Sequence, residues 1–266
     1  MATTAGWTEE RSFSIGKILR RAFGVMGDNP VPVFGIAFFF GALPQQLYTY
    51  LVNPAMLAAN PNNAVPGIIL SIGSSVVFLM FGMLVQGAIV RATAAYANGS
   101  RATFGESVGT GLSMALPLIG LTILLILGLM LGFILLVIPG IMLYIMWSVA
   151  APALVVEETG VFAAFGRSRF LTKGARWKIF GLQILLVVVF MLLSSVVGVM
   201  MVASGGLQNL AAQMADGQLP VSYIIAAVIS GTLMTAFWSA TQTSLYISLR
   251  EWKEGPQAEA LANVFA

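Results

Sequence analysis

The sequence predicts an all-α integral membrane protein with six transmembrane helices and both termini in the cytoplasm. The helices are expected to form three parallel hairpin repeats, each preceded by an amphipathic interfacial helix. Of the 266 residues, 58% are hydrophobic and 9% are charged, whereas soluble domains average roughly 25% charged residues. Several segments are apolar over the length of about 20 residues that a membrane-spanning helix needs. Lys and Arg gather in alternate connections, as expected of cytoplasmic loops.

The apolar segments can be placed one by one along the chain. They are Val31–Val52, Gly67–Thr93, Pro117–Val137, Pro139–Val156, Ile179–Ala203 and Val221–Leu249. The third and fourth form one apolar stretch, which Pro139 and Gly140 interrupt, because proline cannot donate to the preceding turn and glycine tolerates a sharp bend. We interpret this as a tight turn between two spans; the alternative is one kinked helix followed by a surface segment.

The positive charges orient the spans. The connections Asn53–Pro66, Ile138–Gly140 and Ser204–Pro220 contain no Lys or Arg, so all 13 basic residues fall in the other connections and at the ends. Cytoplasmic loops retain Lys and Arg. The sequence therefore predicts a multi-pass protein of the bacterial inner membrane. The first 30 residues lack an apolar signal-peptide region, so we expect the first span to act as the insertion signal.

Self-similarity predicts one membrane domain, residues 1–266, built from repeats. The segment Asn98–Ser107 aligns with Thr159–Ser168, and the surroundings of Gln86 align with those of Gln242. The predicted repeats cover approximately residues 12–99, 100–160 and 161–255, and an amphipathic tail covers 256–266. Repeats of one orientation also occur in transporters.

Two basic amphipathic segments are the first candidate site. Between Phe13 and Met26 the apolar residues follow helical spacing, and Val161–Phe180 combines aromatic residues with five cations. Such helices lie in the membrane interface with basic side chains toward the headgroups. The candidates for binding anionic lipid headgroups or an acidic partner are Lys17, Arg20, Arg21, Arg167, Arg169, Lys173, Arg176 and Lys178. The simpler alternative is topology signalling and anchoring; nucleic-acid binding is not expected.

Polar residues within the apolar segments are the second candidate site. They are Gln45, Gln46, Gln86, Arg91, Gln183 and Gln242. As functional groups they would line a path for a lipid headgroup or a small polar solute, and Gln86 and Gln242 would face a shared interior. The alternative is hydrogen bonding between helices. No carboxylate lies near the middle of a span, which argues against proton-coupled transport.

The composition argues against catalysis. The chain has no Cys and no His, so we expect no disulfide, no metal site of these ligands and no cofactor. The expected function is a non-enzymatic membrane module that binds anionic lipid, a membrane-protein partner or a second copy of itself. The alternative is a transporter or channel for a lipid or small amphiphile.

One stretch resembles a known family. Ile138-Pro139-Gly140 is followed by Trp147–Glu157, Gly160, Ala164, Arg167-Ser168, Leu171–Gly174 and Trp177, and later by Leu245-Tyr246, Leu249-Arg250, Lys253-Glu254-Gly255 and Leu261-Ala262. This pattern resembles the bacterial family named for the membrane domain of glycerophosphoryl diester phosphodiesterase and the related YciC-like inner-membrane proteins. In fused members the activity belongs to a separate soluble domain with catalytic histidines. The resemblance therefore implies a membrane module without hydrolase activity.

Overall fold

The computed structural model describes residues 13–51, 65–203 and 221–255. Helices take up 91% of these residues, and none of them lies in a strand. The predicted amphipathic tail, residues 256–266, and most of the two long connections without cations lie outside the described residues.

The first helices follow one another with little connecting chain. Helix α1 covers Ile15–Asp28 and ends at Asn29, whose non-helical backbone precedes Pro30 at the start of the next helix. Proline is favoured there because the first helical residues need no backbone donor. The first span combines α2 (Pro30–Ile36), a π-helical segment (Ala37–Ala42) and α3 (Leu43–Leu51). Helix α4 (Val65–Ala97) is the second span.

Helix α5 differs from the prediction for the third span. It runs without interruption from Phe104 to Leu135, so no separate interfacial helix precedes this span. Thr103 and Glu106 form a capping box, with Glu106 N donating to Thr103 Oγ1 at 3.2 Å and Thr103 N donating to Glu106 Oε2 at 2.9 Å. This cap starts the helix well before Pro117. Pro117 removes one backbone hydrogen bond without ending the helix.

The turn after α5 is shorter than predicted and lies earlier. Leu136 alone leaves helical geometry, and helix α6 begins at Val137 and ends at Trp147. Pro139 therefore lies in the first turn of α6, where its missing donor has no consequence. Helix α7 (Ala150–Glu157) completes the fourth span after a bend at Ser148 and Val149.

The last helices complete the bundle. Helix α8 covers Val161–Thr172, α9 covers Arg176–Ala203 and α10 covers Val221–Glu254. The predicted amphipathic stretch Val161–Phe180 is thus not one helix. It is broken at Gly174, whose φ of +92° suits glycine because a side chain is strained there.

Six of these segments are long and apolar enough to cross a membrane, which is the number that the sequence predicts. They are Pro30–Tyr50, Ile69–Ala97, Phe104–Leu135, Val137–Glu157, Arg176–Met200 and Val221–Glu254. Large apolar side chains are exposed along them, for example on Leu116 and Ile134. A helix surface of this kind is stable in lipid, where every helical backbone group is already paired.

Glycines set the closest helix contacts. A Cβ on Gly87 would lie 3.1 Å from Gly111 Cα, so α4 and α5 cross with their backbones nearly touching. A Cβ on Gly132 would lie 3.1 Å from Gly140 Cα, which brings α5 and α6 together beside their turn. Small residues allow the close approach that stabilises helix pairs in membranes.

Helix α1 packs part of its predicted apolar stripe against protein. Ile18 and Ala22 on this stripe are fully buried, as is the neighbouring Val25, whereas Phe23 on the stripe is 58% exposed. Ile18 belongs to a core cluster with Tyr246 and Leu249 of α10. The 3.6-residue period therefore identified an apolar face of α1, and α10 covers part of it.

Candidate functional site

Contacts between distant segments gather the described cations at one end of the bundle, which we call the basic end. It comprises α1, α8, the turn between α4 and α5, and the adjoining ends of α7, α9 and α10. Asn29 Nδ2 donates to Ala102 O at 3.2 Å, and Lys178 Nζ donates to Phe13 O at 3.3 Å. Tyr96 Oη donates to Asp28 Oδ2 at 2.9 Å.

Three of the predicted headgroup ligands have carboxylate partners within the protein. Lys17 Nζ lies 3.1 Å from Glu251 Oε2, and Arg21 Nη2 lies 2.6 Å from Glu251 Oε1. Arg21 also donates to Ser248 Oγ at 3.3 Å. These pairs fasten α1 to α10. The third is Arg167, which belongs to a larger network.

The Arg167 network joins α7, α8 and α10. Arg167 Nε lies 2.8 Å from both carboxylate oxygens of Glu157, and its Nη1 contacts Glu254. Tyr246 Oη donates to Glu157 Oε1 at 2.6 Å, and Arg250 Nε lies 3.3 Å from Glu254 Oε2. Hydrogen bonds to Glu254 and Glu157 raise the pKa of the Arg167 guanidinium above its usual value. The guanidinium is therefore a permanent cation that holds three helices together.

The other five predicted headgroup ligands form no ion pair with a described carboxylate. Arg20, Arg169 and Lys173 are exposed and have no ion pair or hydrogen bond to any described part of the chain. Among the described residues, Arg176 is half-buried and its Nε has no hydrogen-bond partner. Lys178 is exposed, donates to Phe13 O and lies over the Phe13 ring.

Two of these cations lie beside exposed aromatic rings, one on α8 and one at its C-terminal end. Phe162, Arg169 and Phe170 follow helical spacing on α8, and Lys173 follows the helix with extended backbone. All four side chains are exposed, and we call this set the α8 stripe. Phe162 is 80% exposed. The opposite face, with Ala164, Ser168, Leu171 and Thr172, is buried. Trp177, at the start of α9, is 86% exposed close by in the chain. Exposed aromatic and basic side chains together are typical of a helix surface at a membrane interface.

Two of the predicted intramembrane polar residues bind each other. Gln242 Nε2 donates to Gln183 Oε1 at 3.1 Å, and Gln183 Nε2 donates to Gln242 Oε1 at 3.3 Å. Tyr144 Oη donates to Gln183 Oε1 at 3.2 Å. Both glutamines are buried. This is hydrogen bonding between helices, the simpler of the two interpretations of the sequence. Tyr144 was not among the predicted residues, and no pattern in the sequence singles it out.

The other three glutamines line a cleft. It has a volume of about 630 Å³ and lies between the first span, α4, α9 and α10. Gln45 and Gln46 reach it from α3, and Gln86 reaches it from α4. A second cavity of about 560 Å³ shares Gln45, Gln46 and Phe190 with the first and continues along α9 and α10. Gln86 and Gln242, expected to face a shared interior, therefore have separate surroundings. Arg91 is exposed and lies outside the cleft.

The walls of this cleft were not among the predicted site residues. Phe78, Phe81 and Trp238 line it beside the glutamines. On α4 the lining residues recur at positions 78, 81, 82, 85 and 86, and on α10 at 227, 231, 234, 235, 238 and 239. Both sets follow the helical period. The signal was therefore present in the sequence, but in an all-apolar helix it does not distinguish a cavity-lining face from a packed or lipid-facing one.

Six apolar helices and a largely uncharged interior define a multi-pass α-helical membrane protein. Within that class the chain belongs to the family described as a domain of unknown function, DUF7847, whose model matches residues 100–249. No curated protein and no solved structure matches the chain. The matched region contains α8, the Arg167–Glu157 pair and the Gln183–Gln242 pair. Gln45, Gln46 and Gln86 lie before it.

Proposed function

We propose that the chain is a non-enzymatic module of the bacterial inner membrane, with both termini in the cytoplasm, that binds anionic lipid at its basic end. The observation that carries this proposal is the α8 stripe. Arg169 and Lys173 have no protein partner in the described chain, whereas Lys17, Arg21 and Arg167 are paired with carboxylates. The stripe is thus a part of the basic end that is free to bind a headgroup, and it combines two such cations with exposed aromatic rings.

The energetics suit reversible lipid recognition. Each Lys or Arg near an anionic leaflet contributes about 1 kcal/mol. Arg169 and Lys173 together therefore supply about 2 kcal/mol, and Phe162 can enter the acyl region beside them. The absence of Cys and His from the sequence supports a binding role over catalysis. The resemblance to phosphodiesterase membrane domains supports the same proposal, because it implies a membrane module whose chemistry is done elsewhere.

The test is retention of anionic lipid by the purified protein. The double variant Arg169→Gln/Lys173→Gln removes two unpaired cations, and Lys17→Gln/Arg250→Gln removes the same charge from paired positions. Native mass spectrometry with phosphatidylglycerol should show affinity about 30-fold lower for the first variant, which corresponds to about 2 kcal/mol. The second variant should lose much less. Equal losses, or none, would reject the α8 stripe as the binding surface.

Transport of a lipid or small amphiphile is the second candidate function. The cleft between the first span, α4, α9 and α10 favours it, because Gln45, Gln46 and Gln86 place polar groups in an otherwise mainly apolar opening of about 630 Å³. Proteoliposomes with a fluorescent lipid in one leaflet measure this directly. Transfer should be faster than in protein-free vesicles and should slow in a Gln86→Leu variant. A rate equal to that of protein-free vesicles would reject transport.

A further inference from the structure

The cleft glutamines are only partly buried: Gln45 is exposed, and Gln46 and Gln86 are half-buried. The side chains of Gln45, Gln46 and Gln86 make no hydrogen bond to any described residue, and all three line the same cleft. A carboxamide has two donors and a carbonyl acceptor. Leaving such a group without a partner in the apolar part of a membrane is costly. The half-buried Gln46 and Gln86 on two helices therefore favour a polar occupant of the space between them, which the exposed Gln45 can also reach.

The Gln183–Gln242 pair shows how the same bundle treats an amide that has only a structural role. Each of those side chains is buried and bonded to the other. The cleft glutamines come from adjacent spans, yet they are arranged around a space instead of around each other. This contrast separates a ligand site from ordinary bonding between helices.

The lining restricts the chemistry of the occupant. None of the described residues that line the two cavities carries a charge, so a phosphate headgroup has no counter-ion among them. The carboxamide oxygens require a donor and the carboxamide nitrogens require an acceptor. An uncharged lipid that carries both hydroxyl and ester groups satisfies both. Phe78, Phe81 and Trp238 provide apolar walls for its chain, and the volume of about 630 Å³ lies within the usual range for small-ligand sites.

We propose that this cleft binds a neutral glycerolipid of the diacylglycerol class, with its hydroxyl and ester carbonyls on Gln45, Gln46 and Gln86 and an acyl chain against the aromatic wall. This site is distinct from the α8 stripe in place and in ligand charge. It therefore stands independently of the proposed anionic-lipid function, and binding in the cleft does not require transport.

Photo-crosslinking tests the proposal. The full chain in phosphatidylcholine nanodiscs is irradiated with diacylglycerol that carries a diazirine on one acyl chain, and labelled peptides are identified by mass spectrometry. Labelling should concentrate on the cleft-lining parts of α4 and α10 and should be competed by unlabelled diacylglycerol but not by phosphatidylglycerol. Equal competition by both lipids would overturn the proposal, because the cleft would then be an unselective lipid groove.

Two kinds of variant make the test specific. Gln46→Leu/Gln86→Leu should reduce specific labelling at least tenfold, whereas Gln183→Leu/Gln242→Leu changes the same residue types outside the cleft and should preserve it. Gly82→Phe should abolish labelling, since a Cβ at Gly82 meets no atom within 4 Å and the ring would fill the cleft. Unchanged labelling in both cleft variants would overturn the site and leave water as its occupant. The Arg169→Gln/Lys173→Gln variant should label normally.

Discussion

The Gln183–Gln242 pair should couple α9 to α10 by a measurable free energy. Replacing Gln242 with Leu removes the two amide hydrogen bonds, of 3.1 and 3.3 Å, but leaves Gln183 bonded to Tyr144. Hydrogen bonds between membrane helices contribute about 0.6 kcal/mol each on average. The free energy of unfolding should therefore fall by about 1 kcal/mol.

Replacing Gln183 with Leu should cost more. This change removes three hydrogen bonds and leaves both Gln242 and Tyr144 without their partner, so we expect a loss of about 2 kcal/mol. In the double variant no amide remains to be left unpaired, and its cost should stay near about 2 kcal/mol instead of the additive value of about 3.

The assay is reversible unfolding in mixed micelles, in which the fraction of dodecyl sulfate is raised and helix content is followed by circular dichroism. The double-mutant cycle yields the coupling energy directly. A coupling energy of zero, with the double variant costing the sum of the two single variants, would refute the pairing seen in the structure.

Three further predictions use the same preparations. Gly111→Ala should lower the unfolding free energy by about 1–3 kcal/mol, because its Cβ would collide with the Leu84 carbonyl. The control Gly109→Ala lies on the same helix, where the added Cβ meets no atom within 4 Å, and it should be neutral or stabilising. Equal effects of the two variants would contradict the tight crossing of α4 and α5. Glu157→Gln should destabilise by about 2 kcal/mol through its bonds to Arg167 and Tyr246, and this loss should persist at high salt, unlike the smaller effect of Lys17→Gln at the more exposed pair. Because the chain has no cysteine, Ser100→Cys and Ser222→Cys can each be labelled alone with a membrane-impermeant maleimide. Ser222→Cys should react in intact cells, and Ser100→Cys should react only after lysis. The reverse pattern would show that the predicted topology is inverted.

The sequence was most informative about what the bilayer demands. Hydropathy predicted six spans because a membrane-crossing helix has to be apolar over its whole length, and the described chain has six such segments. Pro139 marked the end of the third span to within a few residues, although the turn itself is at Leu136. Thr103 and Glu106 hold the true start of α5, whereas the predicted third span began at Pro117.

Periodicity was less informative about partners. It identified the apolar face of α1 but not that α10 covers this face, since protein and lipid are equally good surroundings for Ile18. For the same reason the sequence identified the glutamines within the spans but did not distinguish those that bind another helix from those that line a cleft. Gln183 and Gln242 bind each other, while Gln86 faces a cleft. Which neighbour a side chain meets depends on how helices distant in sequence cross, and glycine contacts such as Gly87 with Gly111 decide those crossings.

The one-residue connection between α5 and α6 bears on how the protein enters its bilayer. From Ile123 to Leu143 no side chain is polar, and at the connection Leu136 N donates to Gly132 O at 3.1 Å while Leu136 O accepts from Gly140 N at 3.3 Å. A charged residue carried to the centre of a membrane costs about 2.5–3.5 kcal/mol, and this segment carries none. The two helices can therefore insert into the bilayer together as a helical hairpin, because no polar loop between them has to be translocated.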